Sequence, residues 1–363
     1  MSAVQNLNLT DHFHPLAIGL ALKGRPGTFS EVFGPEARQS VKPCGLRDVL
    51  RSIESQHGIS SPAALIAPQA SMTSDTLPGI IQDANNLLGI MGYASANLDL
   101  LQASHESLSI ENYLPQNRAK LSGYPALQRV AEGSEIEYGY LNDRAESYMA
   151  FHMARILKLS IESIFNDRTD LLAQQGFAAG YAAAEAKVAS LVDLIEGNPN
   201  LSDNLPVFHE DHNNDIPNAS VTLDGMRTAL GSATARMQRQ KDLAGVRPAP
   251  VTPAYILCPP ELSIQAQQLV ADVSASSVQD VNVFARKLRV ITEPRLANQS
   301  TWYLLARPDE QMSLEHGVVA GTLDPEVRSE TPIGENAIVT RVSLSFGCGW
   351  LDYRGAVRIR TDA

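Results

Sequence analysis

The sequence predicts an α+β fold organised around one long helix. The predicted helix covers residues 168–196, because Asp167 can accept its first free backbone N–H groups and Gly197 supplies a stop signal. Strand-like sequence lies on both sides of it along the chain. Two further stretches, residues 1–78 and 107–142, hold too few apolar residues to form cores of their own. Together these observations predict a subunit with one helical strut and two extensions.

Small residues dominate the body of the predicted helix. Gly176 and Gly180 would let another backbone approach closely, although each lowers helix stability by about 1 kcal/mol. A row of alanines recurs at helical spacing and is expected to pack in the same way, so that leucine at 182 or 186 would overpack it. At 1.5 Å per residue, the helix would be roughly 40 Å long. The row consists of Ala178, Ala182, Ala186 and Ala189.

Composition narrows the class of protein. The chain has 363 residues, which favours two domains or one elongated subunit. Its 29 Lys+Arg against 40 Asp+Glu give a net charge of −11, which argues against binding nucleic acid through its phosphates. Cys44, Cys258 and Cys348 are odd in number and far apart, which indicates a reducing compartment without disulfides. The apolar run at residues 15–22 is too short for a signal peptide and follows acidic rather than basic residues, and no run is long enough for a membrane span.

The N-terminal half of the chain reads as an arm, a helix and a hairpin. The arm, residues 1–78, is punctuated by Gly and Pro and holds one short amphipathic helix around residues 46–53. Its composition fits either a disordered tail or, as we favour, an arm that becomes ordered by lying on a neighbour. Helical spacing predicts a helix within residues 77–101. The alternation of polar and apolar residues predicts a long, mostly polar β-hairpin over residues 107–142. Such a hairpin needs another surface to lie on, in the same subunit or the next. Residues 149–161 then have strand character.

The C-terminal half of the sequence predicts a mixture of helices, strands and long loops. A long loop at residues 198–217 precedes a second helix, which Thr222 caps and whose apolar stripe runs from Leu223 to Met237. Pro259 and Pro260 open a further helix. Residues 308–335 read as loop-rich. Strands are expected at residues 254–258, 288–291, 302–305 and 338–346. After the last of these strands, residues 347–355 are expected to close the chain, with no further strand.

His209 and His212 are the most tempting candidates for chemistry. They flank Glu210 and Asp211 and could serve a metal-dependent hydrolase, but their i, i+3 spacing in a loop differs from the i, i+4 spacing of helical zinc motifs. A calcium loop beginning at Asp211 fails, because its turn glycine is missing. Cys348 lies between two glycines without a recognisable partner histidine. We therefore expect no catalytic, cofactor-binding or metal-binding residue, and a structural histidine loop.

Short motifs occur along the chain in a fixed order: Met72–Asp75, Glu132–Gly133, Glu146–Tyr148, Asn198–Asp203, Phe208–Asn214, Met237–Lys241, Leu257–Pro260, Val290–Leu296, Trp302–Leu304 and Phe346–Gly355. This ordered series resembles the major capsid proteins of tailed phages, in the Mu-like major head subunit group with its prohead-protease fusion relatives. The series spans roughly residues 72–357. Asn213, where relatives usually have Gly, Tyr353, where they often have Trp, and the basic 358–360 end depart from the pattern.

The resemblance implies the Hong Kong 97-type capsid fold. Residues 1–78 would be the N-terminal arm, residues 79–201 and 336–363 the peripheral domain, and residues 202–335 the axial domain. Within the peripheral domain, residues 107–142 would be the extended loop and residues 168–196 the spine helix. We expect no fused protease domain before residue 72.

The resemblance also implies function. It predicts a non-enzymatic major capsid protein that self-assembles into hexamers and pentamers of an icosahedral shell around double-stranded DNA. Implied partners are other copies, a portal, a prohead protease and possible decoration proteins, with no membrane and no sequence-specific DNA binding. The shell would assemble in the host bacterial cytoplasm and remain as the virion capsid. An encapsulin-like compartment and the metal-dependent hydrolase are the alternatives.

Overall fold

The computed structural model describes most of the chain, in several stretches. These are residues 13, 15–33, 42–44, 77–107, 110–121, 143–160, 162, 171–243, 245, 248–271, 287–320, 325–330, 332 and 337–361. The short helix predicted around residues 46–53, the tip of the predicted hairpin and the proposed cap Asp167 lie outside them. Within this part of the chain, no helix combines the length and hydropathy needed to cross a membrane.

The described chain forms two compact units. The first comprises Met1–Asn97, His152–Lys187 and Gly321–Ser345. The second comprises Leu98–Phe151, Val188–Ala320 and Phe346–Ala363.

Helices and a few strands make up the first unit. Helices α1 (Pro15–Gly24), α2 (Pro26–Phe33) and α3 (Leu77–Ser95) pack together around buried apolar side chains. The unit also holds strand β10 (Glu326–Glu330), which pairs antiparallel with part of β11 (Ala337–Trp350). Strand β4 (Ala150–Ser160) also pairs with β11. The core around the helices consists of Ile18, Ala21, Leu22, Phe29, Phe33, Leu87, Leu88 and Met91.

The long helix is confirmed as α4, which runs from Leu171 to Gly197. Its residues up to Lys187 belong to the first unit and the remainder to the second. In the first unit it lies against α3 at two glycines: a Cβ atom on Gly180 would clash with the backbone of Gly89, and one on Gly176 would lie 2.9 Å from Leu88 Cβ. The predicted close approach at the glycines is therefore present.

The expected packing of the alanine row is wrong at its first two members. Ala178 and Ala182 are exposed, whereas Ala179, Ala183 and Ala184 on the adjoining rows are buried. Ala186 and Ala189, further along the row, are half-buried. A helix made of small residues on all sides carries little hydrophobic asymmetry, so the spacing of its alanines does not identify the buried face. Leucine at 182 is consequently not expected to overpack the subunit core.

A five-stranded mixed sheet forms the centre of the second unit, in the order β5-β12-β8-β6-β7. The central strand β8 is buried along its whole length, and its side chains alternate between two cores. Trp302 and Leu304 pack on one face with helices α5 (Leu223–Gln238) and α6 (Ser263–Val270). Tyr303 and Leu305 pack on the other face with the C-terminal part of α4. The strands are β5 (Asp215–Ala219), β6 (Pro253–Cys258), β7 (Arg289–Thr292), β8 (Thr301–Ala306) and β12 (Ala356–Thr361).

Two helices cover the first of these faces, and both follow from local sequence signals. Helix α5 (Leu223–Gln238) begins after Thr222, whose side chain accepts a hydrogen bond from the Gly225 N–H at 3.2 Å. A 3-10 turn at Pro260–Leu262 leads into α6 (Ser263–Val270), as the two prolines predict. The predicted stripe of α5 is confirmed by the burial of Met226, Leu230, Ala233 and Met237.

Three expectations need correction. Residues 15–33, read as loop-rich arm, form two helices, because their apolar side chains are buried against α3. The stretch 308–335, read as loop-rich, contains β10 and also β9 (Leu314–Val318), which pairs with the short strand β1 (His105–Glu106). The chain does not end its regular structure at residue 355, because β12 inserts between β5 and β8.

Candidate assembly site at the base of a β-ribbon

The predicted hairpin begins as an antiparallel ribbon of two strands. Strands β2 (Gln116–Leu121) and β3 (Asp143–Tyr148) pair from Gln116 opposite Tyr148 to Leu121 opposite Asp143. These strands, with the second-unit side chains that they contact, are called the ribbon base below. The prediction of a hairpin within residues 107–142 is thus supported at its base, where the second strand continues to residue 148.

Arg118 and Tyr148, from the two strands, share one carboxylate. The Arg118 Nε atom donates to Glu315 Oε1 at 2.8 Å, and the Tyr148 hydroxyl donates to the same oxygen at 2.5 Å. The Glu315 side chain, on strand β9, is only 4% exposed. Burial, reinforced by the hydrogen bond to Glu315, raises the pKa of Tyr148 to about 12. The hydroxyl therefore stays protonated and acts as a fixed donor.

A second buried cluster centres on Asp352. Lys120 Nζ donates to Asp352 Oδ2 at 3.0 Å and to the Met312 carbonyl at 2.7 Å. Arg354 donates to the same carboxylate through Nε and Nη2, the latter at 2.5 Å. Burial lowers the pKa of Lys120, and Asp352 opposes that effect. The Asp352 carboxylate thus accepts hydrogen bonds from, and balances the charge of, a lysine on the ribbon and an arginine near the C-terminus.

Two further contacts join β3 to the loop after α4. The Glu146 carboxylate accepts hydrogen bonds from the Ser202 N–H at 3.0 Å and from its hydroxyl at 2.5 Å. Arg144 Nη1 lies 3.0 Å from Asp203 Oδ2, and His212 Nε2 lies 3.1 Å from the same oxygen. The ribbon base is therefore fixed to its own unit by ionic contacts at both strands.

The loop that receives these contacts depends on asparagines. Asn198, Asn204 and Asn213 adopt positive φ angles of 45°, 64° and 53°, a region that asparagine tolerates better than most residues. The departure noted at Asn213 is therefore compatible with the backbone that glycine would adopt there. Asn214 is fully buried and donates to the Val207 carbonyl at 2.8 Å, which closes the loop internally.

The two candidate histidines lie in this loop but face different partners. The His212 ring stacks on Tyr353 with centroids 3.8 Å apart, and its Nδ1 lies 3.0 Å from the Val207 carbonyl. His209 lies at the surface, where its Nδ1 accepts from the Asp211 N–H at 3.2 Å. Among the residues that the structure describes, no group of three His, Cys, Asp or Glu could hold a metal ion. The packing of His212 supports a structural loop.

Cys348, the other residue considered for chemistry, lies on β11 opposite His316 in the β9 register. Its thiol donates to the Ser190 carbonyl at 3.6 Å, and burial raises its pKa to about 12. His316 itself bonds Ser104 through Nδ1 at 2.8 Å. Because a nucleophilic cysteine needs a lowered pKa, this geometry favours the structural reading of Cys348.

Sequence reasoning missed the ribbon base. Its charged residues resemble those of a solvated hairpin, and we expected the hairpin to lie on another surface, in the same subunit or the next, without identifying that surface. The base finds that surface within its own unit, where Glu315 and Asp352 are buried and receive the cations of β2, and where Ser202 donates to the buried Glu146 of β3. The only sequence signal is the concentration of charge at both ends of the predicted hairpin. The tip lies outside the described residues, so its partner remains a matter of prediction.

Comparison with known proteins identifies the family. The family model described as "Phage capsid protein" matches residues 124–359, well over half of the chain. The chain belongs to the phage capsid protein family. No curated protein sequence matches it significantly.

Solved capsids share the fold of this phage capsid protein. The capsid of cyanophage P-SCSP1u is 11% identical with a TM-score of 0.53, over 72% of this chain and 88% of that one. The capsid of Ralstonia phage GP4 is 11% identical with a TM-score of 0.53, over 72% and 87%. A solved structure from Microbacterium phage Oxtober96 is 11% identical with a TM-score of 0.50, over 74% of this chain and 92% of that one. The predicted Hong Kong 97-type fold is confirmed, while the Mu-like subgroup stays a prediction.

The histidine loop gives a direct test of the hydrolase alternative. Replacing both histidines (His209→Ala with His212→Ala) is expected to leave the metal content near zero, as in the wild type. Among the described residues, Asp203 lies beside the His212 ring and Asp211 beside the His209 ring, and no group of three ligands is formed. Elemental analysis of both purified proteins measures the metal content. Stoichiometric zinc in the wild type that disappears in the double variant would contradict the structural reading.

Proposed function

We propose that this protein is the major capsid protein of a tailed bacteriophage or prophage, and that its copies form hexamers and pentamers of an icosahedral shell around double-stranded DNA. The match of the phage capsid family model to residues 124–359 carries the proposal. The fold shared with solved phage capsids supports it. We propose no enzymatic activity and no cofactor.

The charge of the chain supports a container that encloses DNA without sequence-specific binding. A net charge of −11 disfavours tight contact with phosphates, since such contact needs clustered Lys and Arg. Packaged DNA must also leave the shell, and weak wall contacts are compatible with that. We therefore assign the protein to the wall of the virion.

The remaining parts of the proposal follow from the family. Portal, prohead protease and possible decoration proteins are the proposed partners, with assembly in the bacterial cytoplasm. We propose the N-terminal arm at 1–78, the peripheral domain at 79–201 with 336–363, and the axial domain at 202–335. In this proposal the extended loop leaves from the ribbon base, whose ionic contacts set the direction in which it starts.

The purified protein is expected to form particles far larger than its 39.2 kDa chain. Shell subunits bury large interfaces with several neighbours, so assembly should occur across a wide range of protein concentration. Light scattering measures the mass, and negative-stain electron microscopy shows the shape. A folded protein that remains a compact monomer under all salt conditions would contradict the proposal.

The contents of the particles decide between the proposed head and an encapsulin-like compartment. Particles from phage-producing cells that hold double-stranded DNA would support the head. Particles that enclose a single folded enzyme would instead assign the chain to a protein compartment. Nuclease-protected nucleic acid and mass spectrometry of the contents distinguish the two.

A further inference from the structure

Strand β4 has a burial pattern unlike that of its neighbours in the first unit. Between His152 and Ser160, no residue is buried. Strands β10 and β11 in the same unit both bury several side chains. A strand of a folded subunit ordinarily buries at least one face. The segment His152–Ser160 is called the β4 surface below.

The β4 surface presents apolar side chains to solvent on both faces. Ile156 and Leu157 are 60% and 45% exposed, and because they are adjacent in a strand they point to opposite faces. At the start of the surface, His152 Nδ1 lies 3.0 Å from Ser345 Oγ, so the strand is anchored there. An anchored strand with exposed apolar residues on both faces is typical of an interaction surface.

The charge of the β4 surface indicates what covers it. The segment contains Arg155 and Lys158 and no Asp or Glu, whereas the whole chain carries −11. An acidic surface would complement it, and a second β4 surface would repel it. Residues 34–76, which connect α2 to α3 in the sequence, contain four Lys+Arg and four Asp+Glu, so they offer no net complementary charge. The strongly acidic remainder of another copy does.

We propose that the β4 surface is an interface between copies of this protein, covered by an acidic surface of a second copy. The inference rests on the proposed function, because it takes the shell as the setting in which copies meet. It goes further by assigning that contact to Arg155, Ile156 and Leu157. Apolar burial supplies the stability of the contact, and Arg155 favours an acidic partner over a second β4 surface.

Cross-linking within assembled particles tests the identity of the partner. A photoreactive p-benzoylphenylalanine at position 156 is introduced into isotopically heavy protein, which is mixed with light protein before assembly. We expect cross-linked peptides that join heavy and light chains and that map to acidic segments. Cross-links found only within one chain, for instance to residues 34–76, would overturn the proposal.

A double substitution tests the contribution of the surface to assembly. Ile156→Ser with Leu157→Ser is expected to reduce the assembled fraction about tenfold or more, at an unchanged melting temperature, because neither side chain is buried in the subunit. The matched control is Ile264→Ser, which alters a residue 68% exposed on α6 and should assemble normally. Assembly of the double variant at the wild-type level would overturn the proposal, as would an equal loss in the control.

The two proposals fail in different ways. If the wild-type protein forms no particles, the proposed function fails without any variant being made. If the wild type assembles but position 156 cross-links only within its own chain, the β4 inference alone fails. If the double variant does not fold, the cross-linking experiment on otherwise unaltered sequence still decides.

Discussion

Replacing Gly180 by alanine is expected to destabilise the protein by about 3 kcal/mol or more, near or beyond the upper end of ordinary overpacking. The new Cβ atom would overlap the carbonyl oxygen of Gly89 and lie 2.6 Å from its carbonyl carbon. These are backbone atoms of α3, which cannot rotate away as a flexible side chain could. Relief therefore requires the two helices to separate and to loosen the core that Leu88 and Met91 form. Thermal or urea unfolding of the subunit measures the loss.

The same substitution at Gly231 provides a matched control. Gly231 lies inside α5, and a Cβ atom there would meet nothing within 4 Å. Alanine favours the helix over glycine by about 1 kcal/mol, so Gly231→Ala is expected to stabilise slightly. The two variants should thus shift the melting temperature in opposite directions. Equal shifts would show that α3 and α4 do not meet closely at Gly180.

The helices whose ends carry capping or stop residues could be predicted from the sequence. Thr222 and the stop at Gly197 place the ends of α5 and α4 within a few residues. The orientation of α4 could not be predicted, because Ala178 and Ala183 offer the same side chain to either environment. Which row is buried depends on where α3 crosses, and that is a tertiary contact.

The elements that were missed lack periodicity. The segment Pro15–Leu22 is apolar on all sides, so it reads equally well as loop, signal or buried helix, and only the packing partner decides. Strand β9 contains Glu315 and His316, both buried, which a hydrophobic pattern cannot reveal. Strand β10 is short and carries Glu at both ends. For these segments, burial is determined by the sheet that they join.

The contacts of the ribbon base could not be predicted from the sequence for a different reason. Arg118 meets Glu315 across 197 residues, and Lys120 meets Asp352 across 232. Each residue alone is indistinguishable from a solvated charge on a polar hairpin. Their pairing exists only because β9 and the C-terminal turn are already placed by the fold. The family resemblance, built on ordered short motifs, supplied the fold where residue patterns could not.

Replacing Asp352 by asparagine is expected to destabilise the subunit by about 3–5 kcal/mol, because it leaves the charges of Lys120 and Arg354 without their shared anion. The Asp352 side chain is 2% exposed, so water cannot readily take its place. Urea unfolding of the unassembled subunit at neutral pH measures the loss. The matched control is Asp309→Asn at an exposed position, which should change stability by less than about 0.5 kcal/mol.

The same variant should also alter how stability depends on pH. Burial would raise the pKa of Asp352, but the hydrogen bonds from Arg354 and the charge of Lys120 outweigh it, so the pKa lies below its usual value. A carboxyl whose pKa is lower in the folded state stabilises the protein above its unfolded pKa of about 3.9, and that stabilisation is lost as the pH falls through the folded pKa. The difference in unfolding free energy between wild type and Asp352→Asn should therefore be largest above about pH 5 and shrink below about pH 4. Asp203 and Asp215, whose pKa values are also lowered, still titrate in the variant and cancel in the comparison. A difference that stays constant from pH 7 to pH 3 would show that Asp352 does not hold the ribbon base as an anion.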